Sequence, residues 1–237
     1  MFRQSKAAEI AKFSASQLKE NELAVFYLGT SGFIMRTAGQ AVIVDPAGFL
    51  KDDEVIALKT VNLMLFTHDH SDHFSSGDTQ TIFKETGASI LAEPKVSSKL
   101  EGKIPADKLV RAESGRTYTF DDVTVHAIQG IHFGPILLYQ IKMGGLTLFH
   151  GGDSGYVNLK DYSSQVAVVP VGGMSPTASP EAAYKMVSDI KPDAAIPMHG
   201  SDKQYREFEQ KIREAMPKTT VITMQPYTAR TIQVPSR

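Results

Sequence analysis

The stretch Thr67 to His73, THDHSDH, sets three imidazoles and two carboxylates in one short segment of a chain that has only 7 histidines in all. Imidazole nitrogen and carboxylate oxygen bind Zn²⁺ at roughly 2.0–2.2 Å, and with no cysteine in the sequence they are the only strong metal ligands this chain can offer. His68 and His70, two residues apart, can point to the same side of an extended or loop backbone. Asp72 and His73 lie beyond a turn and can face a second centre. The stretch therefore has the makings of half of two metal sites. Paired metals in hydrolytic sites lie about 3.5–4 Å apart and call for a bridging carboxylate, for which Asp153 is available.

Such ligands need rigid supports, and the pattern around them supplies strands. The apolar run VNLMLFT stops at the histidine cluster, and the helix expected over SSGDTQTIFKETG follows, capped by Ser75 and stopped by Gly87. Other ligand-type residues stand where apolar strands end: His132 after VTVHAIQGI, Asp153 after LTLFHGG and His199 after AAIPM. In layered α/β folds, ligands collect at strand ends because the strands are fixed and the loops beyond them vary. Four strand ends can thus converge on one site. LAVFYLG, SGFIMRT and QAVIVDP read as consecutive strands at a sheet edge, and TTVITMQ and ARTIQV as the last two strands. Helices are expected over SPEAAYKMVSDIKP, with Ser179 as cap and Pro180 in the first turn, and over KQYREFEQKIREAM.

Taken singly, the same residues have plainer readings. Asp153 after two glycines can cap a turn, and His199 before Gly200 can be an ordinary loop residue. Asp45, before Pro46, is expected to hold the loop beneath the metals through hydrogen bonds rather than to bind them. His126 and His150 sit inside strand-like runs, where a core or supporting histidine is the usual occupant. His126 alternates with Val123 and Val125, well before its strand ends, whereas His132 lies between Gly130 and Gly134 in the loop beyond; His132 is the expected ligand.

Composition narrows the field further. The 237 residues are 42% hydrophobic, ordinary for one sizeable soluble core, and a single domain over residues 1–237 is expected. Lys plus Arg number 25 against 26 Asp plus Glu, a net charge of −1 that gives no reason to expect nucleic acid or an acidic membrane surface as partner. With no signal-peptide core, no run long enough to cross a membrane and no cysteine, a cytoplasmic protein is expected.

THDHSDH matches the H-x-H-x-D-H motif of the metallo-β-lactamase superfamily. VIVDP resembles that superfamily's early structural aspartate, HGGDSG its bridging-aspartate loop and IPMHG its last histidine motif, in the same order and across essentially the whole chain. The segment SPEAAYKMVSDIKPDAAIPMHG is most similar to small metal-dependent hydrolases related to ascorbate-6-phosphate lactonase. The resemblance implies an α/β fold, a four-layer αββα sandwich. It also implies two divalent metal ions, Zn²⁺ favoured and Mn²⁺ or Fe²⁺ as alternatives. His68, His70 and His132 would hold the first, and Asp72, His73 and His199 the second, with Asp153 bridging both. Three departures from relatives stand out. No cysteine ligand is present and His73 replaces an arginine, which argues against antibiotic hydrolysis. His70 stands where di-iron oxygen reductases have glutamate. Thr30 stands where many lactonase-like relatives have histidine.

The function this implies is hydrolysis of a small, anionic substrate by a hydroxide shared between the two metals, a lactone or other cyclic ester first. Asp72 and Asp153 are the catalytic candidates: both orient the nucleophile, and Asp72 can carry a proton to the leaving group. GTSGF and GDSGY lack the spacing of a serine nucleophile elbow, so covalent catalysis is disfavoured. A small phosphodiester is the second substrate class, and a metal-binding sensor or scaffold without turnover the alternative of a different kind. The partner expected is a small molecule; a homo-oligomer stays open.

Overall fold

The computed structural model describes residues 3–174 and 176–235. The chain forms two compact units, one of Met1–Ala112 with Gln225–Ile232, the other of Glu113–Met224 with Gln233–Arg237. Among the described residues no helix is long and apolar enough to cross a membrane.

The first unit is a seven-stranded sheet carrying helices. After helix α1 (Ala7–Ala15), strands β1 (Glu22–Gly29), β2 (Gly32–Arg36) and β3 (Ala41–Val44) run as antiparallel neighbours. The chain then crosses over through α2 (Asp52–Ile56) to β4 (Leu63–Phe66), through α3 (Ser76–Thr86) to β5 (Ser89–Ala92) and through α4 (Pro94–Leu100) to β6 (Leu109–Arg111), each parallel to the strand before it. All four residues of β3 and of β4 are buried, which is why these strands read as unbroken apolar runs rather than alternating ones. Ile10 and Phe13 of α1 and Ile82 of α3 pack with Phe26, Ile43, Met64 and Phe66 of the sheet. Each such side chain contributes about 1.5–3 kcal/mol when fully covered.

The second unit begins with a meander, β7 (Thr117–Phe120), β8 (Val123–Gln129), β9 (Leu137–Met143) and β10 (Leu146–His150). It continues in parallel through β11 (Val166–Pro170), α5 (Pro180–Ile190), β12 (Ala194–Met198), α6 (Asp202–Ala215) and β13 (Thr220–Val221). Met186, Val187, Phe208 and Ile212 of the two helices close over Phe149, Ala167, Val169 and Ala195.

Two expectations are corrected. β1 is not the edge of its sheet, because β14 (Thr228–Gln233) returns from the far end of the sequence and pairs outside it. TTVITMQ is not one long strand: only Thr220 and Val221 pair with β12, since the chain leaves the second unit at Met224 to rejoin the first. Helices α1, α2 and α4 and strands β6 and β7 went unread. The last four run for three to seven residues each, too short for their periodicity to register.

Candidate metal centre

Strand β4 ends at Phe66, and its next two residues, Thr67 and His68, remain buried at 0% and 1% exposure. The chain then turns sharply, the amides of His73 and Phe74 both donating to the carbonyl of His70 at 3.0 and 2.9 Å. This brings three rings together: the centroid of His68 lies 4.4 Å from that of His70 and 4.1 Å from that of His73.

One buried carboxylate organises two of them, His68 and His73. Asp45 follows β3, the parallel neighbour of β4, and is fully buried. Its Oδ1 accepts from the Thr67 amide at 2.8 Å, while its Oδ2 accepts from the Thr67 hydroxyl at 2.5 Å and from His73 Nδ1 at 2.8 Å. The single Thr67 proton is thereby committed to Asp45, so Thr67 Oγ1 accepts from His68 Nδ1 at 3.0 Å. Both histidines consequently carry their proton on Nδ1 and keep Nε2 as a lone-pair donor. A carboxylate backing imidazoles in this way is the usual support of a metal-binding histidine. Ligand-type atoms of Asp45, His68 and His73 all lie within 4.8 Å of one another. The arrangement costs backbone strain, with Asp45 at φ 44° and Ala47 at φ 40°. The loop also requires Gly32 beside it: a Cβ there would stand 2.9 Å from the Asp45 carbonyl oxygen.

The two aspartates of THDHSDH separate. Asp69 turns to Lys99, 2.7 Å away, and this hydrogen bond holds its carboxyl below the usual range. Asp72, half exposed, places Oδ2 3.7 Å from His73 Nε2. Asp69→Asn is accordingly expected to leave metal content unchanged, whereas Asp72→Asn loses about one bound ion per chain at limiting metal; elemental analysis of the two proteins side by side checks this. Nearby, Glu93 follows β5 and spends one oxygen capping α4, accepting from Lys95 and Val96 amides; burial pushes its carboxyl up.

In the second unit, the loop after β8 is pinned immediately before its histidine candidate, at Ile131. The amide of Ile131 donates to Ser154 Oγ at 2.9 Å, and the Ile131 carbonyl accepts from the Gly155 amide at 2.8 Å. The His132 loop is thus bonded directly to the segment that carries Asp153. Asp153, 4% exposed, lies with Oδ2 3.0 Å from Nε2 of His199, the residue that follows β12. His199 sits at φ 52°, a strained backbone of the kind found at functional positions.

The remaining histidines have other employment. His126 faces Thr117 across β7 and β8, with Nδ1 2.8 Å from the Thr117 hydroxyl, and stacks on Tyr162. His150, fully buried, accepts from the Gly152 amide at 3.2 Å and so shapes the turn leading to Asp153. Thr30 lies at φ 48°, its carbonyl accepting from the Tyr27 hydroxyl at 3.0 Å. The sequence reading missed Thr67 and its relay; the signal was a Thr directly before the ligands and an Asp ending the neighbouring strand.

The donor set is imidazole and carboxylate throughout, with the ring nitrogens of His68 and His73 held in the metal-binding tautomer. These residues fit Zn²⁺, Mn²⁺ or Fe²⁺.

Comparison with known proteins agrees. The chain matches the β-lactamase superfamily domain over residues 24–199, a span that includes every candidate ligand. A UPF0173 protein of Pyrococcus abyssi is 31% identical over 181 residues, 74% of this chain and 82% of that one. A UPF0173 metal-dependent hydrolase of Pyrococcus furiosus is 31% identical over 196 residues, 74% of this chain and 83% of that one. Among solved structures, a metallo hydrolase of Ignicoccus hospitalis superposes with a TM-score of 0.76 at 24% identity, covering 89% of this chain and 98% of that one, which shows the shared metallo-β-lactamase fold. With the superfamily domain spanning THDHSDH, HGGDSG and IPMHG, and these relatives matched over more than four fifths of their own length at 31% identity, the chain belongs to the UPF0173 metal-dependent hydrolases of the metallo-β-lactamase superfamily.

Proposed function

We propose that this chain hydrolyses a small ester, a lactone or other cyclic ester first, using two divalent cations, Zn²⁺ favoured. His68, His70 and His132 would hold one, Asp72, His73 and His199 the other, and Asp153 both. The observation that carries the reading is the Asp45 relay, which costs a buried carboxylate and a strained backbone and yields two imidazoles presenting Nε2. Two cations so held would supply Lewis acidity, polarising a carbonyl and lowering the pKa of water toward about 7. The chain's own residues do the rest. Asp153, nearly buried and close to His199, is held still and contributes fixed negative charge. Asp72 is the more exposed partner. Half exposed, it can take the proton released as water adds to the carbonyl carbon and return it to the alkoxide as the acyl–oxygen bond breaks, so that a lactone leaves as its hydroxy acid.

Purified protein reconstituted at neutral pH is expected to hold close to two transition-metal ions per chain and to lose hydrolysis on chelation. Elemental analysis beside rates on lactones, phosphodiesters and thioesters tests it. Stoichiometric metal with no turnover on any of the three would leave a binding protein instead.

A further inference from the structure

We infer that the substrate carries an apolar hydrocarbon arm, seated on Ile131, Phe133, Tyr156 and Met174 of the second unit; this deepens the hydrolase reading above and rests on it. Among the described residues, five large hydrophobic side chains stand exposed: these four, at 52%, 67%, 38% and 85%, and Ile56. Single exposed hydrophobics need no explanation, but a group gathered at one place marks a binding surface.

The gathering is set by the ligand loops. Ile131 and Phe133 flank His132, with the Phe133 ring centroid 6.0 Å from that of His132. Tyr156 comes three residues after Asp153. Met174 follows Gly173, where a Cβ would lie 3.4 Å from Nδ1 of His199. Hydrogen bonds tie these loops into one wall: Ile131 to Ser154 and Gly155, and the Ala178 amide to the Ser154 carbonyl at 3.1 Å. The approach is so close at Gly155 that a Cβ there would meet the Pro176 carbonyl oxygen at 2.5 Å. Exposure is thus built into a braced surface rather than a loose loop. The Tyr156 hydroxyl is spent on Asp189 at 2.9 Å, which leaves its ring as an apolar face.

Charge points the same way. The loops GIHFGPI, GDSGYV and GGMSPTA contain no Lys or Arg. An anionic arm would meet no counter-charge from them, whereas a hydrocarbon arm would cover surface that otherwise faces water. Each methylene fully covered is worth roughly a fourfold gain in affinity, and partial cover about twofold.

The test uses zinc-loaded, full-length protein. γ-Butyrolactone, γ-octalactone and γ-decalactone are compared by pH-stat. Binding of acetohydroxamate and octanohydroxamate, which share a metal-chelating head, is measured by calorimetry without turnover. kcat/KM is expected to rise about tenfold or more from the unsubstituted to the longest lactone, and octanohydroxamate to bind tighter than acetohydroxamate by a similar factor. In Phe133→Ser/Met174→Ser protein both ratios should fall by about tenfold. Metal-dependent hydrolysis with flat ratios overturns the inference and leaves the hydrolase reading standing. Absence of hydrolysis with the hydroxamate preference intact and sensitive to the two substitutions removes the proposed reaction and supports the apolar seat. Light scattering closes the last route: an oligomer that the substitutions dissociate, with chain-length ratios unchanged, would assign these side chains to a contact between copies and overturn the inference.

Discussion

His132→Ala is expected to lose at least about 100-fold in activity and most of the first ion, because it would remove one of the four protein ligands proposed for that ion, a larger insult than the 10–100-fold that loss of a supporting residue costs. His126→Ala, six positions earlier, is expected to cost about 1–2 kcal/mol of stability and to keep its metal. The contrast follows from where each ring is anchored. His126 is paired in register with Thr117 on one side and Gln140 on the other, its Nδ1 at the Thr117 hydroxyl and its face on Tyr162. Truncation there removes packing and one hydrogen bond. His132 belongs to a loop whose preceding residue is bonded through both amide and carbonyl to Ser154 and Gly155, so its backbone cannot drift while its side chain is replaced. Loss of metal from the Ala variant would then reflect the missing nitrogen alone. Metal content and rate on both variants, prepared in parallel, are the measurement, and a metal-free His126→Ala beside a metal-replete His132→Ala would refute the ligand assignment.

Asp45→Asn is expected to weaken metal binding by about 10–100-fold while the protein stays folded. Asn matches Asp in shape and tolerates positive φ at least as well, so the 44° backbone adds no new strain. Its Oδ1 can still accept from the Thr67 amide. The amide nitrogen, however, now faces His73 Nδ1 and the Thr67 hydroxyl where an acceptor stood. It donates to both. His73 must then carry its proton on Nε2, where the cation needs a lone pair, and the freed Thr67 proton turns toward His68 Nδ1 with the same result. Competition against a calibrated chelator gives the affinity, and circular dichroism confirms the fold. Unchanged affinity for both ions would show that the relay does not set the tautomers. Asp45→Ala is the harsher control, since it leaves the buried Thr67 amide without its acceptor, at about 1–3 kcal/mol.

The features legible without the fold were ones governed by neighbours in the chain. The Ser75 and Ser179 caps act over three residues, accepting from Asp78 and Ala182, and Gly87 ends its helix at φ 64° because left-handed backbone favours glycine. The apolar runs before His68 and His199 are legible because strands buried on both faces admit little but hydrophobic side chains. The clustering of His68, His70, Asp72 and His73 needed only a count. Only the tertiary structure decided which aspartate of THDHSDH is drawn to Lys99, thirty residues away, and which stays beside His73. It alone showed that Asp45, 22 positions from Thr67, fixes the protons of two histidines, since parallel strands β3 and β4 bring those residues together across a crossover. The return of β14 to the first sheet was equally hidden. Its side chains are mostly exposed, so its sequence carries no strong apolar pattern, and its position is set by hydrogen bonding to a strand two hundred residues earlier, which no local periodicity encodes.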